Sequence, residues 1–146
     1  MKKDNVTLDM LEINNKNRFA IAILKVAVEK LENPLYNPIY LCGNKKEISK
    51  LLDATIESII KIEKKAFMTS YKECKLSDCK DYDLLILKNI NELEENHEVE
   101  EKIKDIINYC ITSKKQIILT GDKNPSDLNL SEILKSYMQR GLSVFL

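Results

Sequence analysis

The most constraining feature of the chain is a short apolar run that ends at a single glycine and precedes a long helical pattern. The run covers Ile39–Cys42, and Gly43 follows it directly. This order predicts a strand, a glycine turn and a helix that ends near Lys61, an arrangement that holds phosphate groups in many nucleotide-binding α/β proteins. The apolar face of the helix comprises Ile48, Leu51, Leu52, Ile56, Ile59 and Ile60.

The residues after this glycine do not supply the chemistry of a phosphate loop. Such a loop reads Gly-x-x-x-x-Gly-Lys-Ser/Thr. Counted from Gly43, the second glycine falls on Ile48, the lysine on Ser49 and the hydroxyl residue on Lys50. The sequence therefore predicts the scaffold of a nucleotide site without its charged donor.

The start of the same helix has residues that can cap its N-terminus with their own side chains. Asn44 suits the capping position, and Glu47 follows three residues later in capping-box spacing. A carboxylate in the first turn also complements the helix dipole and repels phosphate. We predict a self-capped helix; the alternative is a metal-free anion site formed by Lys45, Lys46, Lys50 and Lys88.

Composition excludes several classes of protein. The chain has 146 residues, with 44% hydrophobic and 32% charged, which suits one globular domain. Basic and acidic residues number 23 each, so no net charge attracts the chain to nucleic acid or anionic lipid. The N-terminus is polar and no apolar run reaches 18 residues, so we expect a cytoplasmic protein without a membrane span.

The four cysteines give no recognised metal or redox motif. Cys74 and Cys79 have an unusual spacing for either purpose, and His97 is the single histidine. We expect free thiols in a reducing compartment, with Cys42 and Cys110 filling the core and the other two without a role.

Strand and helix patterns alternate along the rest of the chain, which predicts a parallel sheet covered on both faces. Residues 1–16 are predicted as an extended lead-in, and the glutamates between positions 92 and 101, with His97, as solvated. The further predicted helices span 17–31, about 99–110 and 131–138, and the further strands 65–70, 83–88, 115–120 and 142–146.

Four stretches in the right order carry a resemblance to one family. The stretches are Asn17-Arg18-Phe19-Ala20; Tyr36-Asn37-Pro38; Asp83-Leu-Leu-Ile-Leu with Ile90-Asn91; and Lys115-Gln-Ile-Ile-Leu-Thr-Gly-Asp122 with Leu134-Lys-Ser136 and Gly141-Leu142. Together they resemble the AAA+ core of the bacterial replication initiator DnaA and its relatives, over about residues 6–146. The resemblance implies a single domain over 1–146 and a three-layer α/β/α sandwich of P-loop NTPase type with parallel strand order 5-1-4-3-2. Because the sequence stops after the fifth predicted strand, we expect no lid domain, in contrast to the family.

The resemblance fails at the positions that carry the family's chemistry. The phosphate-loop lysine aligns with Ser49, or with Ile48 if one residue is deleted. The acidic pair that holds magnesium falls on Lys88 and Asn89, and the arginine that reaches a neighbouring protomer falls on Tyr137. Because phosphoryl transfer depends on these charges, we expect no catalysis, no nucleotide or other cofactor and no metal.

We therefore predict a non-catalytic relative that acts by protein–protein interaction in chromosome replication initiation or its control. The partner is expected to be another protein, such as a DnaA-type initiator or a replication factor, and strong DNA binding is not expected. The alternatives are a residual nucleotide or anion binder without hydrolysis, and an active ATPase.

The predicted partner surface surrounds the fifth strand, at an edge of the sheet in the family's strand order. In the alternative arrangement, residues 6–13 fold across this edge and cover it. The residues assigned to the surface are Tyr137, Met138, Val144 and Phe145.

Overall fold

A computed structural model describes residues 5–146, in which five parallel strands lie between two layers of helices. The strand order is β2-β3-β4-β1-β5, which confirms the predicted order and parallel sheet. The strands are β1 (Ile39–Cys42), β2 (Ala66–Ser70), β3 (Leu84–Lys88), β4 (Gln116–Gly121) and β5 (Leu142–Phe145).

Helix α1 precedes the first strand and the other helices connect successive strands, and the predicted helices lie close to their predicted bounds. Short 3-10 helices occupy several stretches that were expected to be loops, including Ile90–Glu95, His97–Val99 and Pro125–Asp127. Within residues 5–146, no helix is both long and apolar enough to cross a bilayer. The α-helices are α1 (Arg18–Glu29), α2 (Lys45–Lys61), α3 (Asp78–Asp81), α4 (Glu100–Thr112) and α5 (Glu132–Met138).

The central strands are buried on both faces, as their unbroken apolar runs predicted. In β1, Ile39 and Leu41 belong to the cluster formed with α1 and α2. Tyr40 and Cys42 point the opposite way and join the cluster formed with α4 and α5. The alternation of side chains along a strand thus supplies both cores from the same residues.

The lead-in differs from its prediction. It contains a 3-10 helix at Leu8–Met10, the side chain of Leu8 is buried, and its backbone N–H donates to Ser58 Oγ at 2.9 Å. The segment therefore packs on the layer of α1 and α2, and it does not add a strand to the edge at β5. Residues 1–4 of the predicted lead-in lie outside the described residues.

The entry into β1 is fixed by the side chain of Asn37. Its Nδ2 donates to the carbonyl oxygen of Lys115 at 2.6 Å, and its Oδ1 accepts from the N–H of Ile117 at 2.9 Å. Gly141 makes room beside it, because an added Cβ would lie 1.8 Å from the carbonyl oxygen of Pro38. Two of the stretches that carry the family resemblance therefore have a packing role.

Two of the glutamates expected to be solvated are structural. Glu100 accepts from the N–H of Ser131 at 3.0 Å and pairs with His97 Nδ1 at 2.5 Å, so it joins α4 to the start of α5. Burial raises the pKa of Glu100, but the hydrogen bonds from His97 and Ser131 outweigh it and hold the pKa below its usual value. Glu94 likewise accepts from the N–H of Asn129 at 2.7 Å. The prediction was wrong here because the backbone N–H groups that bind these two carboxylates are about thirty residues away along the chain.

Replacing Asn37 with Ala is expected to destabilise the fold, because it leaves buried backbone groups at the start of β4 without partners. The expected loss is about 1–3 kcal/mol in the free energy of unfolding, measured by chemical denaturation. Asn33→Ala, at an exposed position, is the matched control and is expected to change little. Equal stabilities for the two variants would contradict this role of Asn37.

Candidate functional site

A cleft of about 650 Å³ opens where the carboxyl ends of β1, β3 and β4 meet the start of α2. In open α/β sheets, ligands bind at this edge of the strands. All residues of the predicted degenerate loop except Asn44 line the cleft, together with Lys88 and Asn89. The full lining is Gly43, Lys45, Lys46, Glu47, Ile48, Ser49, Lys50, Leu52, Asp53, Lys88, Asn89, Asn91, Thr120, Gly121 and Asp122.

Asn44 caps α2 as its sequence position predicted. Its side-chain oxygen accepts from the N–H groups of Lys46 at 2.9 Å and Glu47 at 3.1 Å, and its carbonyl accepts from Ile48 at 3.0 Å. Glu47 takes part in the cap only through its backbone N–H. Within the described residues, its carboxylate does not accept the reciprocal hydrogen bond that would complete a capping box. Two of the amides that would face a phosphate are thus already hydrogen-bonded to the chain's own side chain.

Position 43 needs a glycine because Leu146, the residue after β5, packs directly against it. Its φ of +149° is a conformation that L side chains rarely adopt. An added Cβ would lie 2.9 Å from the carbonyl oxygen of Leu146 and 3.0 Å from its Cβ. The N–H of Leu146 also donates to the carbonyl of Cys42 at 2.9 Å. This single glycine is therefore explained by packing against residue 146.

The end of β3 presents a cation where the family resemblance places an acidic pair. Lys88 is the last residue of β3 and lines the cleft. Asn89 adopts the left-handed conformation, with φ 60° and ψ 46°, and its N–H donates to Thr120 Oγ1 at 3.0 Å. The turn after β3 thus uses the one hydroxyl that β4 contributes to the cleft.

Tyr40 anchors the backbone that follows β4. Its ring is fully buried, and its hydroxyl donates to the carbonyl oxygen of Lys123 at 2.6 Å. The hydroxyl passes over Gly121, where an added Cβ would lie only 2.0 Å away. Burial, and then the negative charges nearby, raise the pKa of Tyr40 far above its usual value, so it stays neutral and can donate.

The cleft carries a nearly balanced set of charges. Four lysines face it, at positions 45, 46, 50 and 88, and three carboxylates, at Glu47, Asp53 and Asp122. Ser49 is exposed in the cleft, whereas Ile48 is buried in the α2 core, so neither alignment puts a cation at the family's lysine position. Among residues 5–146, no three His, Cys, Asp or Glu side chains are grouped to hold a metal ion.

Sequence reasoning did not assign Asp53, Thr120 or Asp122 to the cleft. Asp122 and Thr120 belong to the Thr-Gly-Asp stretch that ends β4, which was assigned to the resemblance without a role in the site. Asp53 lies four residues after Ser49, and that helical spacing was the available signal for its position on the cleft side of α2.

The structure corrects half of the predicted partner surface. Met138 and Val144 are fully buried, in the two opposite cores, because α5 and β5 direct these side chains inward. Phe145 is 54% exposed at the end of β5. Tyr137 is half-buried, and the guanidinium of Arg140 lies 4.3 Å from the centre of its ring. Of the four residues assigned to the predicted surface, only Phe145 and part of Tyr137 are exposed to solvent.

The sheet order, the strand–glycine–helix unit and the cleft at the strands' carboxyl ends define a P-loop domain of the AAA+ type. The helicase loader DnaC has the same fold, with a TM-score of 0.77 at 18% identity over 97% of both chains.

The chain belongs to the family of bacterial DnaA ATPase domains, whose sequence model matches residues 47–145. It is similar to the chromosomal replication initiator protein DnaA of Borrelia duttonii, with 32% identity over 94 residues, 64% of this chain. That match spans only 18% of the initiator's length. AMPPCP-bound DnaA from Aquifex aeolicus superposes with a TM-score of 0.84 at 25% identity, over 99% of this chain and 50% of that one.

Replacing Asn44 with Ala is expected to lower the free energy of unfolding by about 0.5–2 kcal/mol, because the N–H groups of Lys46 and Glu47 lose their acceptor. Glu47→Ala is the matched control in the same turn, and it is expected to cost less because its side chain makes no cap bond in the described structure. Denaturant titration measures both values. A larger loss for Glu47→Ala would show that the carboxylate, and not Asn44, stabilises the start of α2.

Proposed function

We propose that this DnaA-type domain neither binds nor hydrolyses ATP and acts by contact with another protein in chromosome replication initiation or its control. The observation that carries the proposal is the cap of α2. A nucleotide phosphate would have to displace the Asn44 side chain from two N–H groups. It would gain no lysine in exchange, because Ser49 stands at that position.

The charge at the end of β3 supports the same proposal. Hydrolysis of a nucleotide depends on magnesium, which binds to carboxylate and phosphate oxygens. Lys88 lines the cleft at the position of an expected metal ligand, and its ammonium group repels a divalent cation. With Asn89 engaged through its backbone to Thr120, this turn offers neither a carboxylate nor a base for water.

One observation favours a second candidate function, the binding of an anion without metal. The four lysines of the cleft could bind a multivalent anion by charge alone, and the cavity is large enough for a small organic phosphate. The three carboxylates of the same cleft oppose this binding, and Glu47 lies in the first turn of α2. We therefore rank anion binding below protein contact.

The edge at β5 is the surface that we assign to the partner. β5 pairs with β1 on one side and is the last strand of the sheet. Phe145 exposes an aromatic side chain beside this edge. Edges of this kind accept a strand or an apolar face from another protein. We propose a DnaA-type initiator or another replication factor in the cytoplasm as the partner, and no strong binding to duplex DNA.

Titration with magnesium-ATP tests the nucleotide part of the proposal. A ligand at 100 times its dissociation constant stabilises a fold by about 2.7 kcal/mol. We expect no thermal shift at millimolar ATP and no phosphate release above the enzyme-free control. A DnaA domain that binds AMPPCP serves as the positive control. A clear shift with ATP would overturn the proposal, and a shift with polyphosphate alone would favour the anion site.

A charge placed at Phe145 tests the partner surface. Phe145→Lys is expected to leave the fold intact, because the side chain is already 54% exposed, and to abolish association with the replication protein that the wild type captures. Phe19→Lys is the matched control, since Phe19 is 56% exposed on α1. Capture followed by mass spectrometry gives the result. Retained capture by Phe145→Lys, or loss in both variants, would count against this surface.

A further inference from the structure

A second cavity, of about 340 Å³, lies at the edge of the sheet where the strands begin, opposite to the edge that carries the cleft. We call it the amino-edge pocket. A volume of this size is enough for a small organic molecule. Three segments form its wall: the loop before β1, the end of α4 and the residues before β5. They contribute, among others, Leu35, Tyr36, Asn37, Lys114, Arg140 and Gly141.

The charged residues that line this pocket are both cations. Lys114 and Arg140 belong to its lining, and no carboxylate residue does. The cleft is different, because its four lysines face three carboxylates. Within residues 5–146, neither cation forms an ion pair, and neither side chain donates a hydrogen bond to the chain. Both charges are therefore available to an anion from outside the described chain.

The side chain of Arg140 is restricted by an aromatic ring. Its guanidinium carbon lies 4.3 Å from the centre of the Tyr137 ring. The ring attracts the positive charge and limits the motion of the side chain, but it leaves N–H donors of the guanidinium free for hydrogen bonds. These donors match the paired oxygens of a carboxylate or a phosphate. Less conformational entropy is then lost when an oxyanion binds.

The oxygen atoms of the loop before β1 are largely engaged within the chain. The carbonyl of Tyr36 accepts from Gln116 Nε2 at 2.8 Å, and Asn37 Oδ1 accepts from the N–H of Ile117 at 2.9 Å. A ligand that needs acceptors, such as an amine, would compete with these bonds. The charges and the acceptors of the pocket thus favour the same kind of ligand, one that is negatively charged.

The wall of the pocket also carries apolar surface. Leu35 is 60% exposed and Tyr36 is 37% exposed, although both belong to the lining. The loop that carries them leads into Asn37, whose Nδ2 donates to the carbonyl of Lys115 at 2.6 Å. On the opposite segment, Lys114 has a left-handed φ of 56° at the end of α4. An apolar group on the ligand can therefore pack against a loop that is fixed to the body of the domain.

We propose that the amino-edge pocket binds a small organic oxyanion, a carboxylate or a phosphate ester that carries an apolar group. Arg140 and Lys114 bind the oxyanion, and Leu35 and Tyr36 contact the apolar group. Tyr137 acts as a positioning residue, through Arg140. The pocket and the cleft lie at opposite edges of the sheet, so this inference stands independently of the proposed function.

Titration followed by NMR of the backbone amides tests the site directly. The isotope-labelled full chain is titrated at low ionic strength with benzoate and with phenyl phosphate. Benzyl alcohol and benzylamine serve as the neutral and cationic controls of similar size. We expect saturable shifts at the amides of Leu35, Lys114 and Gly141 with the two anions and none with the controls. The tighter of the two anions then shows whether a carboxylate or a phosphate ester fits the pocket better.

Three results of the same titration would overturn the proposal. The first is the absence of saturable shifts around the pocket with either anion at millimolar concentration. The second is an equal response to benzyl alcohol, which would show that the pocket recognises the ring alone. The third is a response confined to the amides of residues 45–50, which would place the anion in the cleft. Inorganic phosphate is expected to bind more weakly than phenyl phosphate, and equal binding would refute the role of the apolar wall.

Matched variants identify the cations that bind the anion. Arg140→Gln and Lys114→Gln are each expected to weaken binding by about tenfold, as expected for the loss of a charge-assisted hydrogen bond. Both positions are exposed, so we expect the thermal stability to remain unchanged. Arg18→Gln removes the other arginine of the chain, which is exposed at the start of α1, and is expected to leave binding unchanged. Wild-type affinity in both pocket variants, or an equal loss in Arg18→Gln, would overturn the site.

Substitutions at Tyr137 test the positioning of Arg140. Tyr137→Leu is expected to weaken binding several-fold, although both cations of the pocket remain. Tyr137→Phe keeps the aromatic face and is expected to bind the anions as the wild type does. Circular dichroism checks that both variants are folded, and the Phe variant keeps the test decisive if the Leu variant does not fold. Wild-type affinity in Tyr137→Leu, or a loss in Tyr137→Phe equal to that of Arg140→Gln, would refute the role of the ring.

Discussion

Burial of the sheet on both faces is the constraint on which the structure depends. The strands β1, β3 and β4 alternate between the two cores, so each apolar residue serves one helical layer or the other. Parallel strands require a crossover between each pair, and the crossovers supply the helices that cover both faces. The carboxyl ends of the strands then meet at one edge. A cleft forms there for geometric reasons, whatever side chains line it.

The start of α2 is the part of the cleft on which our proposal about ligand binding depends. Every helix begins with N–H groups that lack partners within the helix, and a phosphate or a capping side chain can satisfy them. Here Asn44 satisfies two of them. The side chain of Asn44 therefore occupies two donors that a phosphate would use, and for this reason we propose that the site stabilises the fold and binds no nucleotide. Lys88 at the end of β3 supports the same proposal, because it places an ammonium group where the family resemblance expects the acidic residues that bind magnesium.

Local patterns were sufficient to predict the elements but not the contacts between distant residues. The strand–Gly43–helix unit and the Asn44 cap follow from neighbours in sequence, and the strand order followed from the family resemblance. The burial of Met138 could not be predicted, because α5 has only seven residues and its short periodicity does not define an inward face. The bonds from Ser131 to Glu100 and from Asn129 to Glu94 depend on how loops fold back over about thirty residues. No local signal encodes such contacts.

The contact between Tyr40 and Gly121 links two neighbouring strands in a way that restricts how the sequence can diverge. The phenol oxygen occupies the volume in which any side chain at position 121 would begin, and it also holds the backbone at Lys123. A larger residue at position 121 is therefore compatible with the fold only if position 40 becomes smaller, and the loop after β4 then loses its tether to β1. Positions 40 and 121 can be expected to vary together, as a pair, among related sequences.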